Sequence, residues 1–228
     1  MNDWASYALQ DFIPFTADIY FRLIERMSET FWPLHLLTLM LAVVAIWLAF
    51  KNHYRFASLL IAPVWAFIAV AFFIQRYAEL NWAGGYIGYL FLAQAFLLLV
   101  IAWTGFGLDS GPRKRPIAVM AIIIILVGLI GLPFMGPLTG GNWSQAEVFG
   151  IHADPTAVTT LGLSLIIFRG WALWLIALIP LLWLLLSGLT LWVLGSPTAI
   201  LLFSVMAIGL IGLVLKSFEY QLLKQEQK

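Results

Sequence analysis

The sequence predicts an all-α, polytopic transmembrane helical bundle of about seven spans, with an interfacial amphipathic helix at its N-terminal end. Three observations carry that prediction. Of the 228 residues, 63% are hydrophobic and only 10% are charged, where an ordinary soluble domain carries about 25% charged residues. Seven apolar runs recur along the chain. The basic residues between them fall mostly on one side. A soluble fold of this size could not keep so much apolar surface from water, so the solvent that suits it is lipid.

The elements follow in order. Ala17 to Thr30 reads as an amphipathic helix, with Ile19, Tyr20, Leu23, Ile24 and Met27 on one face and Asp18, Arg22, Glu25, Arg26 and Glu29 on the other. Thr16 is its expected N-cap, and such a segment beside a span is expected to lie flat in the interface. The first thirty residues lack a basic start and an apolar core, so no cleavable signal is expected. Trp32-Pro33 then starts the first span. The apolar runs are Pro33–Phe50, Phe56–Ile74, Tyr86–Phe106, Pro116–Phe134, Thr156–Phe168, Trp171–Leu194 and Pro197–Leu215. A straight crossing needs about 20 residues, so the fifth run is short and reads either as a tilted span or as a re-entrant half-span. The division expected is an interfacial segment over 1–32, one bundle over 33–215 and a tail over 216–228.

Charge favours the full crossing. With seven spans, nine of the twelve Lys and Arg residues share one side: Lys51, Arg55, Arg113, Lys114, Arg115, Arg169, Lys216, Lys224 and Lys228. Arg22, Arg26 and Arg76 take the other. Basic residues collect in the cytoplasm, which places the C-terminus inside and the N-terminus outside. Eight of the eleven acidic residues fall outside: Asp3, Asp11, Asp18, Glu25, Glu29, Glu79, Glu147 and Asp154. Trp32, Trp82, Trp143 and Trp171 sit near run ends, where indoles anchor.

Composition also excludes chemistry. The chain has no cysteine, so disulfides, thiolate metal sites and cysteine nucleophiles are out. Net charge is +1 and no basic stripe appears, so no nucleic-acid partner is expected. No ionisable residue falls in the middle of a run, which argues against a proton pump or coupled carrier. His35 is the only histidine within a run, so two-histidine haem is not expected either. Small residues recur at packing distances, as in Gly84 and Gly88, and GLIGL appears at both Gly128–Leu132 and Gly209–Leu213.

The most informative stretch is the outer loop Met135 to Pro155, MGPLTGGNWSQAEVFGIHADP. Asp154-Pro155-Thr156 reads as a helix start, with Asp154 as cap and Pro155 in the first turn. VFGIHADPTAVTTLGLSLI, preceded by GLPFMGPLTGG, resembles a family of uncharacterised bacterial integral membrane proteins catalogued as a domain of unknown function. Its pattern is Phe-Gly, then Cys- or Asp-Pro-Thr, then Thr-Leu-Gly. Tyr20, Phe21, Glu25, Trp32 and Pro33 resemble its start. Asp154 stands where many relatives would show Cys, so no thiol role carries over. The resemblance implies the membrane architecture and no activity, substrate or cofactor.

Two functions are open at this point. One is a non-catalytic accessory or scaffold protein, or a binder of a small lipophilic molecule, with the lipid bilayer and other membrane subunits or further copies as partners and no cofactor. Gln94, Trp143 and Thr156 are its candidate ligand contacts, although Gln94 reads first as a helix–helix bond and Trp143 as an interface anchor. The other is a site for a divalent transition metal or polar ligand on the outer face, a metal-dependent enzyme included. It would use Glu25, His35, Glu79, Glu147, His152 and Asp154. No close ligand spacing such as HExxH is present, and the plainer expectation for these six is a solvated acidic rim with a helix cap.

Overall fold

The computed structural model describes residues 10, 13–109 and 115–226. Asp3, Asp11, Arg113, Lys114 and Lys228, and the side chain of Lys224, lie outside the described residues. Among the described residues the protein is helical, with two isolated β-bridges and no strand. The helices are α1 (Ala17–Thr30), α2 (Leu34–Phe50), α3 (Tyr54–Leu80), α4 (Ala83–Thr104), α5 (Arg115–Leu138), α6 (Ala153–Ile167), α7 (Gly170–Val193) and α8 (Thr198–Glu226).

Five of these, α3, α4, α5, α7 and α8, are long and apolar enough to cross a membrane. Helices α1 and α2 meet at an 88° bend, and together they would make a sixth candidate. The bend falls at Phe31–Pro33, where proline interrupts the run of backbone donors. Helix α8 continues to Glu226, so no break separates a tail at residue 216.

Helix α6 is the centre of the molecule. All 15 of its residues are buried, and it packs against α2, α3, α5, α7 and α8. Its sequence explains how neighbours come so close. Gly162 lies on the α5 backbone: a Cβ there would stand 2.9 Å from the Ala121 carbonyl oxygen and 3.1 Å from the Ile125 nitrogen. Gly128 of α5 faces Thr159 and the Pro155 carbonyl, and Gly209 and Gly212 of α8 face Leu161 and Leu165. The first glycine of each GLIGL string therefore serves the same purpose, close approach to α6. Gly84 and Gly88 do the same for α4 against the end of α3.

At about 1.5 Å per residue, α6 is roughly 22 Å long, short of a hydrocarbon layer of about 30 Å. Both its ends are nevertheless tied down. At one end the chain after Ile167 pairs with residues 107–109: Asp109 N donates to the Ile167 carbonyl and Arg169 N to that of Gly107, each at 2.8 Å, with Leu108 and Phe168 bridged. Lys216 of α8 donates to the Leu165 carbonyl at 2.7 Å and pairs with Asp109 at 2.7 Å. At the other end the segment preceding α6 dips into the bundle, with Ala146, Glu147 and 149–152 buried. The first turn of α6 therefore begins inside the bundle. Two wide π-helical turns flank this recess, Ala69–Tyr77 within α3 and Val127–Gly131 within α5.

Helix α1 closes the recess. It buries Tyr20, Ile24 and Met27 against the bundle, while Ile19 is exposed. Thr16 holds the expected extended cap conformation but its side chain makes no capping bond. Trp32, Trp82, Trp143 and Trp171 are all exposed near helix ends, the placement of interface anchors.

Candidate functional site

The recess under α1 gathers polar groups that the sequence spreads from Tyr20 to Ser187. Its floor is the loop before α6. Gly150 has φ +82°, a region that favours glycine, and a Cβ there would strike Thr38 of α2. This allows the loop to turn against α2 and point His152 and Asp154 inward. Thr156 fastens the turn, accepting from Gly150 N and donating to the His152 carbonyl, both at 2.8 Å.

Asp154 is 1% exposed. Trp183 Nε1 donates to its Oδ1 at 2.7 Å and Ser187 Oγ to its Oδ2 at 2.8 Å, both from α7. The expected cap role is therefore corrected. His152 occupies the N-cap position, and the Asp154 carboxyl bonds across to α7 instead. Tyr20 of α1 brings its phenol towards Ser187, Asp154 and Glu147. Phe73 and Phe91 pack edge-on to the Trp183 ring at 4.8 and 5.7 Å, fixing the indole.

Glu147 is buried beside Asp154. Burial, and then the negative charge of Asp154, push its carboxyl well above the usual carboxylate range. No Lys or Arg among the described residues pairs with either group. The expectation of a solvated acidic rim fails for Glu147, His152 and Asp154, because the loop that carries them folds inward.

His152 is fully buried and its tautomer follows from its partners. Val148 N donates to Nδ1 at 3.0 Å, so Nδ1 carries a lone pair and Nε2 carries the hydrogen. Nε2 lies 3.3 Å from the Ile24 carbonyl and 3.4 Å from Ser28 Oγ. The imidazole thus latches the loop to α1. Burial lowers its pKa to about 4, with the nearby His35 adding to the effect and the bond to Ile24 opposing it. Ser28 and His152 do not form a nucleophile–base pair, since the nitrogen facing the hydroxyl already bears a proton.

The other expected residues scatter. His35 does reach His152, with ring centroids 6.4 Å apart, so a second histidine stands beside it after all. Glu25 accepts from Ser144 Oγ at 2.6 Å, half-buried, and Glu79 is exposed at the end of α3. Among the described residues no three His, Asp or Glu side chains are grouped to hold a metal. Trp143 is exposed and packs edge-on to Phe134 at 5.4 Å. Gln94 bonds to none of these groups: its Nε2 donates to the Ile176 carbonyl at 3.0 Å, joining α4 to α7, and its Oε1 is unpartnered. Tyr20, Trp183 and Ser187 are not among the site residues the sequence offers: Tyr20 enters only on the apolar face of α1 and in the family resemblance, and Ser187 only as an in-span hydroxyl expected to bond a neighbouring helix. Their available signal was Trp183 and Ser187 four residues apart in an apolar run, hence on one helix face.

The sequence pattern of one family covers residues 17–224. The chain belongs to DUF6064, a family of unknown function. No curated protein and no solved structure matches it. The DUF6064 match begins at the first residue of α1 and includes the recess, α6 and the Lys216–Asp109 pair.

Proposed function

We propose that this DUF6064 protein is a non-catalytic accessory or scaffold subunit of the bacterial cytoplasmic membrane, crossing it seven times with its N-terminus outside. The carrying observation is how α6 spends its polar groups. Asp154, Thr156, Thr160 and the N-cap His152 each bond to a neighbouring segment or helix, Thr160 accepting from Trp65 Nε1 at 2.9 Å; Ser164 bonds back to the Leu161 carbonyl, and the buried Thr159 hydroxyl alone among the α6 side chains has no partner. Lys216 and Asp109 fasten its far end. A scaffold needs such a pinned centre, whereas an enzyme or carrier needs polar groups left for a substrate.

The ties of α6 to opposite ends of the bundle support its counting as a crossing. Arg55, Arg169 and Lys216 cluster at one end through bonds to Thr104, Gly107 and Asp109. Arg76 stacks on Phe31 at the other. That segregation supports the orientation, with α1 lying at the outer interface as a lid over the recess.

A second reading, a small lipophilic ligand, is favoured by one feature. Between α3 and α4 runs an apolar groove of about 860 Å³ along Phe56, Leu59, Leu99 and Trp103, with Arg55 at its mouth. Purification in mild detergent separates the readings. A membrane protein retained at fixed ratio supports the scaffold, and a retained lipophilic molecule without a partner supports the ligand. A clean monomer with nothing bound overturns both.

A further inference from the structure

At the end of the bundle away from the recess, the chain builds a second polar cavity, of about 720 Å³, where α6 gives way to α7. Phe106, Arg169, Trp171, Trp174, Tyr220 and Gln221 line it. Its cation is held by backbone, not by chance. Arg169 is extended (φ −139°, ψ 163°), its N–H bonds to Gly107, and its neighbour Phe168 is bridged to Leu108. Gly107 has φ +66°, and a Cβ there would collide with Ala172, so this crossing of chains depends on a residue without a side chain.

Charge and shape point to the occupant. The Arg169 guanidinium lies 5.8 Å from the Tyr220 ring centre, and among the described residues it has no carboxylate partner. No acidic residue lines the cavity. Asp109, two positions from Gly107, is engaged by Lys216. Trp174 is fixed across α7 and α8 by donating to Ser217 Oγ at 2.8 Å. Trp171 and Phe106, by contrast, are 85% and 59% exposed. A guanidinium presents paired donors suited to a phosphate. Exposed indoles sit at headgroup level. A cationic pocket between helices with aromatic, outward-facing walls suits a phosphate that carries acyl chains, more than a free ion.

We propose that this cavity binds the phosphate of an anionic phospholipid, with Arg169 as the phosphate ligand and Trp171 and Phe106 against the glycerol and upper acyl chains. The site does not depend on the scaffold reading, since it rests on the opposite end of the bundle.

The test uses the full chain in detergent, with its thermal midpoint followed on adding phosphatidylglycerol, phosphatidylcholine or inorganic phosphate. Phosphatidylglycerol is expected to give a saturable rise of about 3–5 °C at tenfold excess over Kd, with little from the other two. Arg169→Gln is expected to lose that rise and Arg55→Gln to keep it. Equal rises with both lipids, or a rise that Arg169→Gln retains, would overturn the proposal. A rise with inorganic phosphate matching that of the lipid would reassign the cavity to a free anion and overturn the lipid site. Should Arg169→Gln not fold, native mass spectrometry of the unmodified protein decides. Retention of phosphatidylglycerol over phosphatidylcholine, one per chain, supports the site, and equal retention overturns it.

Discussion

The indole of Trp183 gives its only hydrogen to Asp154, at 2.7 Å, and so joins the start of the buried α6 to the middle of α7. Ser187, one turn further along α7, takes the second carboxyl oxygen. Asp154→Ala strands both donors and leaves a void, and an unsatisfied buried group costs about 1–3 kcal/mol. The thermal midpoint in detergent should therefore fall. Asp154→Asn should cost less, since its amide oxygen still accepts from Trp183 and the Ser187 hydroxyl can turn to accept from its amide nitrogen. Ser187→Ala, which removes one bond, should also cost less than Asp154→Ala. An unchanged midpoint in Asp154→Ala would mean that this contact does not hold the helices together.

His152 and Glu147 predict opposite pH dependences. The folded pKa of His152 is lowered from 6.5 to about 4. Between those values the unfolded chain takes up a proton that the folded one refuses. Its stabilising contribution is complete above about pH 6.5 and is lost as pH falls towards 4, by roughly 3 kcal/mol in all. For Glu147 the folded pKa is raised above 4.5. Its contribution is complete below about pH 4.5 and declines as pH rises through the folded value. Unfolding followed against pH should thus lose its acid limb in His152→Gln and its decline above about pH 4.5 in Glu147→Gln. A wild-type acid limb that persists in His152→Gln would place the titration elsewhere.

The apolar runs and the Gly84–Gly88 contact were legible in the sequence because each is a local pattern. GxxxG at Gly84 and Gly88 needs only its own spacing, and it packs as that spacing implies. The candidate site was half legible. Glu147, His152 and Asp154 stood out by residue type, but their burial did not, since it arises from a loop that folds inward. That inward turn depends on Gly150 meeting Thr38, more than a hundred positions away. Tyr20 and Ser187 are unremarkable in their own segments and acquire meaning only when α1 closes over α7. Asp154 was misread as a cap because Asp-Pro-Thr fits a helix start, and nothing in those three residues reveals Trp183 opposite.

Metal content is predicted from the same bonds. Both ring nitrogens of His152 and both carboxyl oxygens of Asp154 are occupied by protein partners, and Glu25 is bonded to Ser144. A transition metal would have to break several of these bonds to gain ligands. Elemental analysis should find metal far below one per chain in the wild type, His152→Ala and Glu147→Ala alike. One equivalent in the wild type, removed by either substitution, would restore the outer-face metal site.

Two glycines on neighbouring helices give the sharpest contrast in packing. A methyl group at Gly162 would stand 2.7 Å from Ile125 Cγ1 and within 3.1 Å of two α5 backbone atoms, so α5 and α6 must separate to admit it. Overpacking of this kind costs about 1–3 kcal/mol, and the shift would also strain the Gly128–Thr159 approach higher on the same pair. A methyl group at Gly85 of α4 would meet nothing within 4 Å, and replacing a helical glycine with alanine gains about 0.5–1 kcal/mol. Gly162→Ala is therefore expected to lower the thermal midpoint and Gly85→Ala to leave or raise it, although the two substitutions are chemically identical. The sign difference comes from Gly162 facing the α5 backbone while Gly85 faces open space. Equal effects at the two positions would show that α6 is not the enclosed centre of the bundle.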